Sequence, residues 1–173
     1  MNLSNENIYV KPVTNSEDSE LILHYMKGSN IFFDKTSRFN SSVVSCLIHK
    51  ENIPIGFLNL VDEQLSDFLF LDVLIDEKYR GRGYAAMAYE NLMSRFNTKK
   101  FIIAETKEDN ISANKSLQKN SIFLYSCKGL NYYLMDKNRL SELQNSPMYS
   151  QLIEHFHREQ ISAYQYSLNL RNM

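Results

Sequence analysis

The chain of 173 residues holds two cysteines, Cys46 and Cys127, and no CxxC pair. That excludes a disulfide framework and a cysteine-based zinc site. Both lie in apolar, strand-like runs, VVSCLI and IFLYSC, and read as buried reduced thiols. No run approaches the ~20 apolar residues of a membrane helix. The first ten residues, MNLSNENIYV, lack the charged and apolar regions of a secretion signal. A cytoplasmic protein is therefore expected. There is no basic surplus either: the formal net charge is -1 and the pI about 6.4. Nothing global argues for nucleic acid or an anionic membrane as partner. No internal repeat and no low-complexity segment is present.

What remains is an ordinary globular composition, 43% hydrophobic and 23% charged, long enough for one domain with one real core. IYVKPV (8–13) alternates and reads as a first strand. A helix follows, with Thr14 or Ser16 as cap, Glu17, Asp18 and Glu20 at its positive end, and Gly28 as its stop. Residues 29–40 have no clear period and read as a loop or short helix. Runs 42–50, 54–62 and 67–76 are strands, joined by short polar connections (Asn52 and Pro54, then Gln64 and Ser66) that suit antiparallel hairpins. The third run, DFLFLDVLID, is almost continuously apolar, so it belongs at the centre of a sheet; Asp72 interrupts it. From Tyr84 to Phe96 the period turns helical, with Ala85, Ala88, Tyr89, Leu92 and Phe96 as its apolar stripe. FIIAET (101–106) is a buried strand, NISANKSLQKN (110–120) a helix opened by an Asn cap, and IFLYSC (122–127) and NYYLMD (131–136) two last strands joined through Gly129. After Leu140 the β-rich runs cease. Residues 141–173 read as one or two helices, with Ser146-Pro147 as a start and Leu152, Ile153, Phe156, Ile161, Tyr164 and Leu168 as a rough stripe.

Of only five glycines in the chain, two fall in YRGRGYA, between the buried third run and the helix from Tyr84. Such a strand–glycine loop–helix unit aims backbone N–H groups and the positive helix end at one point. Gly81 and Gly83 admit close approach, and Lys78, Arg80 and Arg82 add charge. The loop reads as a pyrophosphate cradle or as a tight turn with solvated arginines. It is neither a Walker loop, since no GKS or GKT follows, nor GxGxxG.

Arg80-Gly-Arg-Gly83-Tyr-Ala85 resembles the Arg/Gln-x-x-Gly-x-Gly/Ala loop of the GNAT (Gcn5-related N-acetyltransferase) family. VLIDEKYRGRG is similar to that family's fourth strand running into the loop. IIAETKEDNISANKSLQKNSIF is similar to its downstream segment, with Glu105, Asn110, Ala113 and Lys119 in register, and NYYLMDKNRL to its last strand. The resemblance spans residues 8–140 and implies an α/β fold: a mixed, splayed sheet flanked by helices. Residues 1–140 would form the acyltransferase domain, with 141–173 as a helical extension packed on it. It further implies acetyl-CoA as acyl donor and no metal. The main chain of Val73, Leu74 and Ile75 would pair with the pantetheine arm. Arg80, Gly81, Arg82, Gly83, Tyr84 and Ala85 would hold the pyrophosphate. Asn110 and Asn114 would reach the arm or thioester, and Lys115 and Lys119 the adenosine end. Asn110 reads equally as a helix N-cap.

The sequence departs from the family at Leu117, where a Tyr often donates a proton to the CoA thiolate, and at Ser121-Ile122, which replaces Gly-Phe. Ser116 is the neighbouring hydroxyl that would serve as a proton donor; it reads also as an exposed helix serine. Attack by an amine needs a deprotonated nitrogen. Asp72, inside a buried strand, and Glu105, ending the next, are the candidate bases or ammonium binders, or else structural acceptors. His155 and His157 diverge on a helix and read as solvent-facing rather than as a metal pair. Phe32, Phe33 and Phe39 line an acceptor pocket or pack as core. The resemblance implies direct acetyl transfer to a primary amine in a ternary complex. The acceptor is a small molecule or, as the alternative, a protein N-terminus. A weak acyl-CoA-binding module is the non-enzymatic reading, and residues 141–173 offer a homodimer surface.

Overall fold

The computed structural model describes residues 7–27, 41–63, 65, 67–127 and 129–157. The expectations for Gly28, for 29–40 with Phe32, Phe33 and Phe39, for Gln64 and Ser66, and for Ile161, Tyr164 and Leu168 lie outside them. The chain divides into two compact units, one ending at Ala104 and the other beginning at Glu105.

The first unit holds β1 (Ile8–Pro12), α1 (Ser16–Lys27), β2 (Ser42–Lys50), β3 (Ile53–Val61), β4 (Phe68–Ile75) and α2 (Tyr84–Met93), and β5 (Phe101–Lys107) enters at its end. The strands lie in the order β1-β2-β3-β4-β5. The first three pairings are antiparallel and the last parallel. The hairpin between β2 and β3 turns on Glu51, at φ 56. Asn15, rather than Thr14 or Ser16, caps α1: its Oδ1 accepts from the Asp18 N–H at 2.8 Å. It stands three residues before that donor, where a cap must be. The Asp18 carboxylate then pairs with Lys11 Nζ at 3.3 Å.

Ladder partners share a face. Leu47, Phe57 and Leu74 are in register across β2, β3 and β4, and pack on Ile22 and Met26 of α1. On α2 the buried stripe is Tyr84, Ala88 and Leu92; the expected Ala88 and Leu92 lie in it, Tyr84 joins them, and the expected Ala85 and Tyr89 are half-buried. The helix ends at Met93, so Phe96 lies past its last turn. Asn91 fixes α2 to β1, its Oδ1 accepting from the Val10 N–H at 3.1 Å.

The second unit carries the end of β5, α3 (Ile111–Asn120), β6 (Ile122–Cys127), β7 (Leu130–Leu134) and α4 (Leu140–Gln144), then a helix described over 148–157. Its strand order is β5-β7-β6, and the β6–β7 hairpin turns through Gly129 at φ 85. Residues 141–157 contribute to this unit's core. Leu143, Leu152 and Phe156 are buried, and the Phe156 ring stacks on Tyr132 at 3.7 Å between centroids. His157 is exposed yet engaged: Nε2 lies 3.2 Å from the Tyr125 hydroxyl and Nδ1 3.7 Å from Cys127 Sγ. Both cysteines are buried free thiols, and burial pushes the Cys46 thiol up to about 11.

Gly56 shows how tightly β3 and β4 are joined. A Cβ there would lie 2.0 Å from the Leu74 carbonyl oxygen. Backbone cannot step aside as a side chain can. Gly56→Ala should therefore destabilise the fold by at least the roughly 1–3 kcal/mol typical of overpacking, read as a lower urea midpoint at unchanged slope.

Candidate functional site

The β4–α2 connection is built to leave a helix start bare. Asp76 Oδ1 accepts from the Lys78 N–H at 3.3 Å and opens a 3-10 turn over Glu77–Tyr79. Arg80 Nε donates to the Ile75 carbonyl at 2.8 Å, tying the loop back to the strand. Gly81 and Gly83 then take φ of 76 and 79, left-handed values that cost L-residues about 1–2 kcal/mol each. A Cβ on either would meet nothing within 4 Å, so the backbone angle demands glycine here and the space before the loop is open. Gly83 is the N-cap of α2, with no side-chain cap and no acidic residue in the first turn. Arg80 and Arg82 are exposed beside it. A helix start left uncapped, with cations alongside, is suited to bind an anion.

β4 leads into that loop past the end of its ladder with β5. Its parallel ladder with β5 runs from Phe68↔Phe101 to Leu71↔Ala104 and stops there. Asp72, Val73, Leu74 and Ile75 extend past it, still paired with β3 on the other side. Asp72 is the first residue beyond the last rung and is 9% exposed. It is in register with Asn59 of β3, and Asn59 with Ser45 of β2. Asn59 is fully buried, and among the described residues neither its Nδ2 nor its Oδ1 has a hydrogen-bond partner. The sequence reading passed over Asn59, although it interrupts the apolar run of β3 as Asp72 interrupts β4. Two pleats along β2, the buried His49 stacks on Tyr9 at 5.1 Å.

The second unit places the remaining candidates around α3. Asn110 is its N-cap, with Oδ1 accepting from the Ala113 N–H at 3.2 Å. Asn114 is buried, and its amide is engaged on both sides. Nδ2 donates to the carbonyls of Lys107 at 2.8 Å, Glu108 at 3.2 Å and Asn110 at 3.0 Å. Oδ1 accepts from Asn131 Nδ2 at 2.9 Å and the Tyr133 hydroxyl at 2.7 Å. Its present work is to hold the β5–α3 turn onto β7. Lys115 and Lys119 are exposed, and Ser116 and Glu105 half-buried. Among the described residues no group of three His, Cys, Asp or Glu side chains is placed to hold a metal, and no helix is long and apolar enough to cross a membrane.

The family model "Acetyltransferase (GNAT) family" matches residues 9–121. The chain belongs to the GNAT acetyltransferase family. It is accordingly an N-acetyltransferase, and the mixed α/β fold is that of its structural neighbours. The N-acetyltransferase PseH of Campylobacter jejuni, solved with acetyl coenzyme A, is 21% identical, covers 76% of this chain and 99% of its own, and has a TM-score of 0.55. A GNAT acetyltransferase of Elizabethkingia anophelis with acetyl-CoA bound is 14% identical, covers 76% and 99%, and has a TM-score of 0.58. Arabidopsis thaliana Naa50, solved with the bisubstrate analogue CoA-Ac-MVNAL, is 12% identical, covers 73% and 96%, and has a TM-score of 0.53. At these identities the likeness is one of fold. No curated protein matches the sequence.

His49 makes the stability of this GNAT sheet depend on pH. Burial holds its imidazole below the usual range; nearby Lys11 acts the same way, while a hydrogen bond with the Leu47 backbone and the Asp18 carboxylate oppose. The unfolded chain takes up the proton first, near 6.5. The contribution is therefore present above that pH and lost as pH falls toward the folded value. His49→Phe, which keeps the stack on Tyr9, should lose less stability between pH 7 and pH 5 than the parent, measured by urea midpoints.

Proposed function

We propose that this GNAT enzyme transfers the acetyl group of acetyl-CoA to a primary amine of a small molecule, by direct attack in a ternary complex. The observation that carries the reading is the bare start of α2: left-handed Gly81 and Gly83, no cap, no acid, and Arg80 and Arg82 outside. The backbone amides from Arg82 to Ala85 would receive the pyrophosphate. The main chain of Val73, Leu74 and Ile75, past the β5 ladder, would pair with the pantetheine arm. Lys115 would meet the adenosine end. Asn110 keeps its cap and Asn114 its turn, so we assign both a positioning role. When bound, acetyl-CoA supplies an activated thioester carbonyl. Asp72 would take the proton of the incoming ammonium, with Glu105 as the second candidate and Ser116 as donor to the departing thiolate. A β4 main-chain N–H is the natural donor to charge developing on the carbonyl oxygen. A protein N-terminus is the second reading, favoured by Leu117 at the place of the usual Tyr; Naa50 was solved with a peptide-bearing analogue.

Thermal unfolding with acetyl-CoA tests the donor site. At about 100 times Kd the ligand should add roughly 2.7 kcal/mol, a rise in Tm of about 5–11 °C for a chain of this size. Gly83→Glu, which puts a charge at the helix start, should abolish the rise. A rise that survives in Gly83→Glu would place the ligand elsewhere.

For the chemistry, Asp72→Asn should lower kcat/KM at least 100-fold, the usual scale of a general base, with the acetyl-CoA Tm shift intact. If Asp72→Asn and Glu105→Gln both stay within a few fold of the parent, neither carboxylate is the base.

A further inference from the structure

One polar row crosses an otherwise apolar face. Ser45, Asn59 and Asp72 are ladder partners on β2, β3 and β4, which sets their Cβ atoms about 4.5–5.5 Å apart along the row. On one side lies the row Leu47, Phe57 and Leu74, packed on α1. On the other lie Val61 and Phe70, both buried. The row is thus one pleat wide with hydrocarbon on each side. At its centre Asn59 is 0% exposed, and both amide atoms, one a donor and one an acceptor, lack partners among the described residues. Native interiors avoid this, because an amide stripped of water and left unpaired is costly. The row ends at Asp72, where the β4–β5 ladder stops and the strand edge proposed for the acyl donor begins.

We propose that this row recognises the acceptor, and that Asn59 selects a vicinal amino alcohol: an amine with a hydroxyl on the neighbouring carbon. The inference rests on the acetyltransferase reading above. A hydroxyl is the small group that both accepts from Nδ2 and donates to Oδ1, so it satisfies both orphaned atoms at once. The amine, one carbon away, then falls to the Asp72 carboxylate. A carbonyl would accept from Nδ2 and leave Oδ1 unmet. A plain alkylamine would leave both unmet, and sites with buried polar groups discriminate strongly against analogues that lack the matching group. Asn59 is a specificity residue here, and Asp72 the group that handles the amine proton.

The test uses the full chain, 2-aminocyclohexanol, its oxygen-free counterpart cyclohexylamine, and glycinamide as an α-amino carbonyl, with CoA release as readout. The parent should prefer the amino alcohol over cyclohexylamine by about 100-fold or more in kcat/KM. In Asn59→Leu that ratio should collapse to within a few fold, through loss of activity on the amino alcohol. The variant's Tm should be unchanged or higher, because an apolar side chain replaces an unpaired amide. A ratio that survives Asn59→Leu, equal use of both amines by the parent, or a preference for glycinamide would overturn the proposal. So would a fall of several degrees in the Tm of Asn59→Leu, since the amide would then be structural. If no amine is acetylated while acetyl-CoA still raises the Tm, the acceptor class is wrong and the acetyl-CoA site stands. If acetyl-CoA gives no shift in the parent, the reading beneath falls, and this one with it.

Discussion

The parallel pairing of β4 with β5 lasts four rungs, from Phe68↔Phe101 to Leu71↔Ala104, and the proposed chemistry depends on its ending there. A strand paired along its whole length has no main chain to spare. Because the ladder stops, the last half of β4 extends past its final rung while β3 still holds its other side. The ladder with β3 holds that half in the sheet. The first residue past the ladder is Asp72, so a carboxylate in the middle of an apolar strand stands at the boundary between paired and extended chain.

A second constraint is backbone angle. Two left-handed glycines within three residues turn the end of β4 into the start of α2 and leave that start without a side-chain cap. Arg80 spends its Nε on the Ile75 carbonyl, which fixes the loop to the strand that feeds it. Placement is thus set by covalent continuity and one hydrogen bond. In the second unit Asn114 has the opposite character. Its amide bonds three carbonyls and two side chains, and so resists movement of the β5–α3 turn. Among the described residues, the side chains of Asn15, Asn91, Asn110 and Asn114 are hydrogen-bonded, and that of Asn59 is not.

The elements were legible because their signals are local. The alternation of IYVKPV, the nearly continuous apolar run of β4 and the shift to helical period at Tyr84 each reflect a side-chain repeat that needs no distant partner. The glycine loop was legible for the same reason. Errors fell where competing local groups are alike. Thr14, Asn15 and Ser16 all have side chains able to cap α1, and only the position of the Asp18 N–H selects Asn15. Asn59 was missed because a single polar residue in a strand signals little until register shows it beside Asp72. His157 reads as a solvent-facing side chain from helix geometry alone; its contacts with Tyr125 and Cys127 come from β6.

By itself the sequence determined the strands, the helices, the loop and its charge, and through their order the family. These rest on propensity, periodicity and backbone angle, which act over a few residues. Tertiary structure alone decided which residues share a row and where a ladder ends. Ser45, Asn59 and Asp72 are separated by more than ten positions each along the chain and become neighbours only through strand register. A one-residue slip would send each side chain to the opposite face. The length of the β4–β5 ladder is likewise a matter of pairing, to which neither strand's own sequence is sufficient. The family chemistry was readable from the chain; the polar row that would select its acceptor exists only in the folded sheet.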